Sequence, residues 1–267
     1  MIFRQLFDPE TSTYTYLLAD EVSRKAVLID SVLDQFERDV RLLRELELEL
    51  AYALETHVHA DHVTASGRLR DVLGCRVGVG ESTGVTNADL LLRDGETVHC
   101  GELTLEVLAT PGHTSGCVSY VCRDAGSIFT GDVLLIRGCG RTDFQEGNAA
   151  TLFDSVRGRL FSMPDETRIY PGHDYHGRMM STVGEEKRFN LRIGLDRSAE
   201  EFAAIMGELD LAYPKQMDIA VPANLECGLG VVPNEPDRLS ALRSKSVASV
   251  MEESGRQDAE IWMGSGI

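Results

Sequence analysis

Short apolar runs separated by turn signals fill the first half of the chain. Residues 14–18 and 26–29 carry enough β-branched and aromatic side chains to predict two strands, joined across the polar stretch 19–25. From Gln35 to residue 50 the period changes. Phe36, Val40, Leu43 and Leu46 then share one helical face, with Glu and Arg on the other. Residues 51–55 predict a buried strand that ends at Thr56-His57, and 63–73 a helix closed by Gly74. Further strands are predicted over 75–79, 103–109, 117–122, 127–130 and 168–170. Residues 151–160 read as a helix, and 198–209 as another, opened by Ser198 with Glu201 in the capping-box position. Strands dominate to about residue 132 with helices interspersed, which fits sheets packed face to face with helices outside. The fold class is α/β or α+β.

Charge narrows the partners. The 267 residues hold 26 Lys+Arg against 43 Asp+Glu, a net charge of −17. Binding to a phosphate backbone needs a basic face, so nucleic acid is not expected. No stretch approaches the roughly 20 apolar residues of a membrane helix, so no membrane partner is expected either. Residues 1–10 mix Arg4, Gln5, Asp8 and Glu10 with apolar side chains, unlike a signal or transit peptide. Six cysteines without a CxxC pair read as reduced thiols, and the expected location is cytoplasmic. From residue 231 onward, Pro233, Pro236 and a polar 244–255 stretch suggest an appendage without assigned role. It has some helical character around Ala248 to Met251 and holds the single tryptophan, Trp262, which suits packing on the core or on a second subunit.

The decisive run is Thr56-His57-Val58-His59-Ala60-Asp61-His62, which puts three of the chain's seven histidines and an aspartate in one loop after a strand. A rigid strand end fixes such a loop while its side chains turn inward, as a metal site requires. Pro111-Gly112-His113, Thr130-Gly131-Asp132 and Tyr170-Pro171-Gly172-His173 also follow predicted strands. Four strand ends each deliver His or Asp beside a small residue, and convergence on one sheet edge is the expectation.

In that order, HxHxDH at 57–62, His113, Asp132 and His173 resemble the metallo-β-lactamase superfamily. The resemblance implies an αββα sandwich with a metal at one edge, here with a C-terminal helical extension. Residues 132–144 (DVLLIRGCGRTDF), 170–177 (YPGHDYHG) and 221–224 (VPAN) further resemble the persulfide dioxygenases, extending the likeness over about residues 1–230. This implies one domain over 1–230 with 231–267 appended, and one Fe(II) per chain on His57, His113 and Asp132. Two imidazoles and a carboxylate leave open positions for a sulfur donor and dioxygen. The implied reaction oxidises glutathione persulfide with O2 and water to glutathione and sulfite. No protein nucleophile is required; His59, Asp61, His62 and His173 become outer partners that orient ligands and balance charge.

The same resemblance puts the glutathione pocket around Arg141, Asp143 and Tyr175, with Arg192, Lys215 and Asn224 as further candidates. Glutathione carries two carboxylates and an ammonium, so a guanidinium fork and a carboxylate are apt partners. The alternative for Arg141 and Asp143 is that they pair with each other. Cys139 is read as a small packed residue with a loop-shaping or redox-sensitive role as the alternative, and His176 as either an outer partner of the site or a solvent-exposed residue. Ligand inventory alone also permits two metals, as in a glyoxalase II-like thioester hydrolase. A non-catalytic thiol or metal sensor is the third reading, disfavoured because structural sites are usually closed by four protein ligands. Homodimerisation is left open.

Overall fold

A computed structural model describes residues 1–230 and 237–244; the features noted around Ala248 and Trp262 lie outside the described residues. Two six-stranded sheets face each other. The first runs β1 (Ile2–Asp8), β2 (Thr13–Ala19), β3 (Lys25–Ile29), β4 (Glu49–Leu54), β5 (Arg76–Gly80) and β6 (Leu90–Leu92), in that spatial order. It is antiparallel through β3 and parallel from β3 to β6. The second sheet contains β7 (Thr97–Cys100), β8 (Leu103–Ala109), β9 (Val118–Cys122), β10 (Ser127–Gly131), β11 (Arg168–Pro171) and β12 (Ser181–Thr182). There β7 to β10 form an antiparallel meander, and β11 adds in parallel to β10.

Alternation along the strands builds three layers of apolar packing. Tyr16, Leu18, Val27, Ile29 and Leu54 meet Leu105, Val107, Tyr120 and Phe129 between the sheets. The opposite faces of β2 and β3, through Leu17 and Leu28, receive Phe36, Val40 and Leu43 of α1 (Phe36–Glu45) and Leu69 of α2 (Ser66–Leu73). On the other side Val121, Ile128 and Ile169 pack against Leu152, Val156, Leu160 and Phe202. Those come from α3 (Ala149–Asp154), the π-helical turn Ser155–Leu160 that continues it, and α5 (Ala199–Gly207). The expected αββα sandwich is observed. Between them lies α4 (Val183–Phe189), and α6 (Met217–Asn224) and α7 (Asp237–Ser244) complete the helical extension.

The predicted elements hold with shifted ends. The helix predicted over 35–50 stops at Glu45, because Glu47 takes a left-handed conformation (φ 52°) and residues 49–50 already belong to β4. Apolar Leu46, Leu48 and Leu50 continue the buried pattern across that boundary, so periodicity alone runs through it. The helix predicted over 63–73 begins at Ser66; Thr64 instead bridges Val32. Gly74 ends it with φ 73°, and Ser198 with Glu201 forms the capping box. All six cysteines are free and buried. Among the described residues no helix is long and apolar enough to cross a membrane.

Candidate metal centre

Strand ends deliver the chemistry to one edge of the sandwich. His57 follows β4, His113 follows β8, Asp132 follows β10 and His173 follows β11. Crowding explains the small residues beside them. A Cβ on Gly140 would lie 2.7 Å from His113 Nδ1 and 2.5 Å from the Asp132 carbonyl, and one on Gly172 would lie 2.7 Å from Asp132 Oδ1. The loop 57–62 carries its three histidines fully buried.

One ligand atom each from His57, His113 and Asp132 fall within 4.8 Å of one another. Hydrogen bonds set the tautomers. The Thr56 hydroxyl donates its only proton to Asp30 Oδ2 (2.8 Å), so at 2.9 Å it accepts from His57 Nδ1. His113 Nδ1 donates to the Arg141 carbonyl at 2.7 Å. In both rings Nε2 is therefore left with its lone pair. Burial, together with the neighbouring His59 and His113, holds His57 far below the usual imidazole range and hence neutral. Burial alone would raise the Asp132 carboxyl, but the charged His173 ring and its hydrogen bond outweigh it and keep it ionised. Two imidazoles, each with Nδ1 already engaged, and one carboxylate at this spacing fit a divalent first-row ion.

The remaining loop residues form a carboxylate–imidazole network. His173 Nδ1 meets Asp132 Oδ1 at 2.6 Å, and its Nε2 meets Asp61 Oδ2 at 3.0 Å. Burial opposes a charge on this ring, yet Asp132 and Asp61 prevail and push its pKa well up. His62 Nδ1 lies 2.8 Å from the same Asp61 oxygen. His59 Nε2 sits 3.2 Å from both Asp30 and Glu55, and these carboxylates outweigh burial to favour its charged form. His59, Asp61 and His62 form a second close ligand group, with His59 Nδ1 and His62 Nε2 meeting no protein partner.

The pocket candidates are dispersed around this centre. Arg141 grips Asp143 through two bonds of 2.6 Å, stacks 4.5 Å over Phe144 and donates to the carbonyls of Ala212 and Leu211. The exposed Tyr175 ring lies parallel to His173, 6.0 Å between centroids. Arg192 donates to the Cys139 carbonyl (2.6 Å), and Lys215 is exposed. Asn224 departs from the expected role. It is buried, and both its amide hydrogens go to main-chain oxygens of the 57–62 loop, which leaves no donor for a substrate. Cys139 is buried, and that burial pushes its thiol up to about 11 despite nearby Arg192. His176 uses its main-chain N–H on Asp174.

Sequence reasoning missed Asp30 and Glu55, the carboxylates beneath His59, and Gln145, whose amide donates to the Val58 carbonyl at 2.8 Å. Asp30 had a signal: it follows β3 as Asp132 follows β10. Glu55 had the same signal, since it follows β4 and lies four residues from His59, whereas Gln145 had none, since it acts through the return of a distant segment.

Known proteins share this architecture. Residues 8–173 match the metallo-beta-lactamase superfamily. The chain is 52% identical over 230 residues to the human mitochondrial persulfide dioxygenase ETHE1, covering 86% of this chain and 89% of the human one. The crystal structure of ETHE1 from Myxococcus xanthus superposes with a TM-score of 0.83 at 53% identity, covering 85% of this chain and all of that one. Glyoxylase B2 of Dictyostelium discoideum is more distant, 27% identical over 88% of this chain and 93% of its own. The chain thus belongs to the persulfide dioxygenase family of the metallo-β-lactamase superfamily.

Proposed function

We propose that the protein is a mononuclear iron dioxygenase that oxidises glutathione persulfide with O2 and water to glutathione and sulfite. The terminal sulfur gives up electrons that O2 accepts, the S–S bond breaks, glutathione leaves as the thiol, and the oxygens of O2 and water end in sulfite. The observation that carries the reading is the 52% identity to a persulfide dioxygenase across 86% of the chain.

His57, His113 and Asp132 would hold the iron, which when bound supplies adjacent open positions and the redox chemistry that lets sulfur and O2 react. The chain does the rest by position. Thr56 and the Arg141 carbonyl keep Nδ1–H tautomers on His57 and His113, so both rings present Nε2. His173 donates to Asp132 Oδ1 and leaves Oδ2, which lies 3.8 Å from His113 Nε2. In the single-metal reading His173 bridges Asp132 and Asp61 by hydrogen bonds and serves as the outer partner that orients the Asp132 carboxylate.

For the substrate, Arg141 and Asp143 on one side and Tyr175 on the other border the ligand group, through the Arg141 carbonyl and the His173 ring respectively. The Arg141 fork would take a glutathione carboxylate and Asp143 the ammonium, exchanging their mutual bond for substrate. Arg192, through the Cys139 carbonyl, supports the turn that carries Arg141, and exposed Lys215 remains a candidate for a second carboxylate. We assign the enzyme to the cytoplasm, a reducing compartment suited to its six free cysteines.

The second reading, a two-metal thioester hydrolase, rests on the His59, Asp61 and His62 group. Elemental analysis of protein purified without added metal, with oxygen uptake on the same sample, separates them. About one iron per chain with sulfite formation supports the dioxygenase. Two metals without oxygen uptake on glutathione persulfide overturn it.

A further inference from the structure

The loop 57–62 must hold several ligand-type side chains in register, yet it is neither helix nor strand and lies buried. Its main-chain polar groups need partners, because an unpaired buried carbonyl carries a full desolvation cost. Two of those groups, and the N–H of Thr64 just beyond the loop, converge on one distant side chain. Asn224, the last residue of α6 and 4% exposed, donates from Nδ2 to the His59 carbonyl at 2.9 Å and to the His62 carbonyl at 2.8 Å. Its Oδ1 accepts from the Thr64 N–H at 2.9 Å.

The segment after Asn224 continues the support. Gly67 N–H donates to the Cys227 carbonyl (2.9 Å), and Gly228 passes so close to Thr64 that a Cβ there would meet its carbonyl at 2.1 Å. Pro222, inside α6, removes one main-chain donor just before the turn that brings Asn224 inward. Aspartate in place of Asn224 would preserve shape and acceptor but lose both donors, and would face two carbonyl oxygens with negative charge.

We propose that Asn224 is a positioning residue for the metal centre: its amide fixes the arc from His59 to Thr64, which follows directly on the ligand His57 and carries its outer partners His59, Asp61 and His62. The inference rests on the metal-site reading above, and it replaces substrate contact as the role of this residue. Nothing in the chemistry of its neighbours leaves the amide free to turn toward glutathione.

The test is metal affinity, read by competition of Fe(II) or Co(II) against a chelator, on wild type, Asn224→Ala and a control, Leu160→Ala. Leu160 is fully buried under the second sheet, away from the loop, so its truncation lowers thermal stability without touching the site. Asn224→Ala is expected to weaken the metal about tenfold to a hundredfold, as loss of an outer partner does. Leu160→Ala is expected to bind metal as wild type does. With metal saturating, Asn224→Ala should keep the wild-type KM for glutathione persulfide. Should Asn224→Ala not yield folded protein, Asn224→Ser, which keeps one short donor and adds no charge, serves with the same expectation. Metal affinity within twofold of wild type, an equal loss in Leu160→Ala, or a raised KM with metal binding intact would each overturn the proposal. Failure of the metal-site reading has a different signature, since wild type itself would then not bind metal stoichiometrically.

Discussion

The carbonyl oxygen of Arg141 lies 2.7 Å from Nδ1 of His113. One residue therefore has two separate contacts, its main chain setting the tautomer of a candidate ligand and its guanidinium reaching Asp143 on the outside. The two roles are chemically separable, because a side-chain substitution leaves the carbonyl in place.

Arg141→Ala should accordingly retain its iron while kcat/KM for glutathione persulfide falls about tenfold to a hundredfold, the scale of a lost charge-assisted hydrogen bond. Oxygen uptake kinetics with metal analysis on the same preparation measures both. Iron loss would mean that the side chain, not the carbonyl, maintains the ligand.

Asp132 is the sole carboxylate in the ligand group with His57 and His113. Asp132→Ala should lose iron and activity together, by more than the ~100-fold typical of an outer partner. Full iron and full activity would remove it from the ligand set.

His62→Ala removes a ring whose Nδ1 meets Asp61 at 2.8 Å, outside the proposed iron ligands. The metal count should stay at about one per chain. A count of two in the wild type that falls to one in the variant would establish a second ion and favour hydrolysis.

Asp39, in the first turns of α1, is fully buried beside Arg38. Burial raises its carboxyl to about 6 against the attraction of Arg38. The native state then holds a proton that the unfolded chain releases near pH 4, so this group lowers stability as pH rises through 6. Asp39→Asn should therefore match wild type most closely below about pH 4 and gain on it by up to about 3 kcal/mol once the pH is well above 6, in denaturant unfolding followed at both ends of that range. An unchanged difference between the two pH values would show that Asp39 is not the source.

Much of this molecule is legible in its sequence because the candidate ligands sit at strand ends, and strand ends announce themselves. Leu103–Ala109 alternates cleanly and Pro-Gly-His follows; the His-rich loop does the same after β4. Legibility fails where function depends on chain return. Asn224 lies 165 residues from His59, whose carbonyl it holds, and no local pattern marks that contact. Resemblance assigned it to substrate, whereas its hydrogen bonds belong to the loop. Edge strands were equally silent: β1 carries Arg4 and Gln5 among its apolar residues, and β6 has three residues.

The ligand group has one further property. His57 extends from a strand of the first sheet, while His113 and Asp132 extend from the second. An ion held by all three acts as a suture between the halves of the sandwich, joining chain segments 75 residues apart, from 57 to 132. Metal loading should then slow amide exchange at this edge, where β4, β8 and β10 end. The opposite edge opens independently of it.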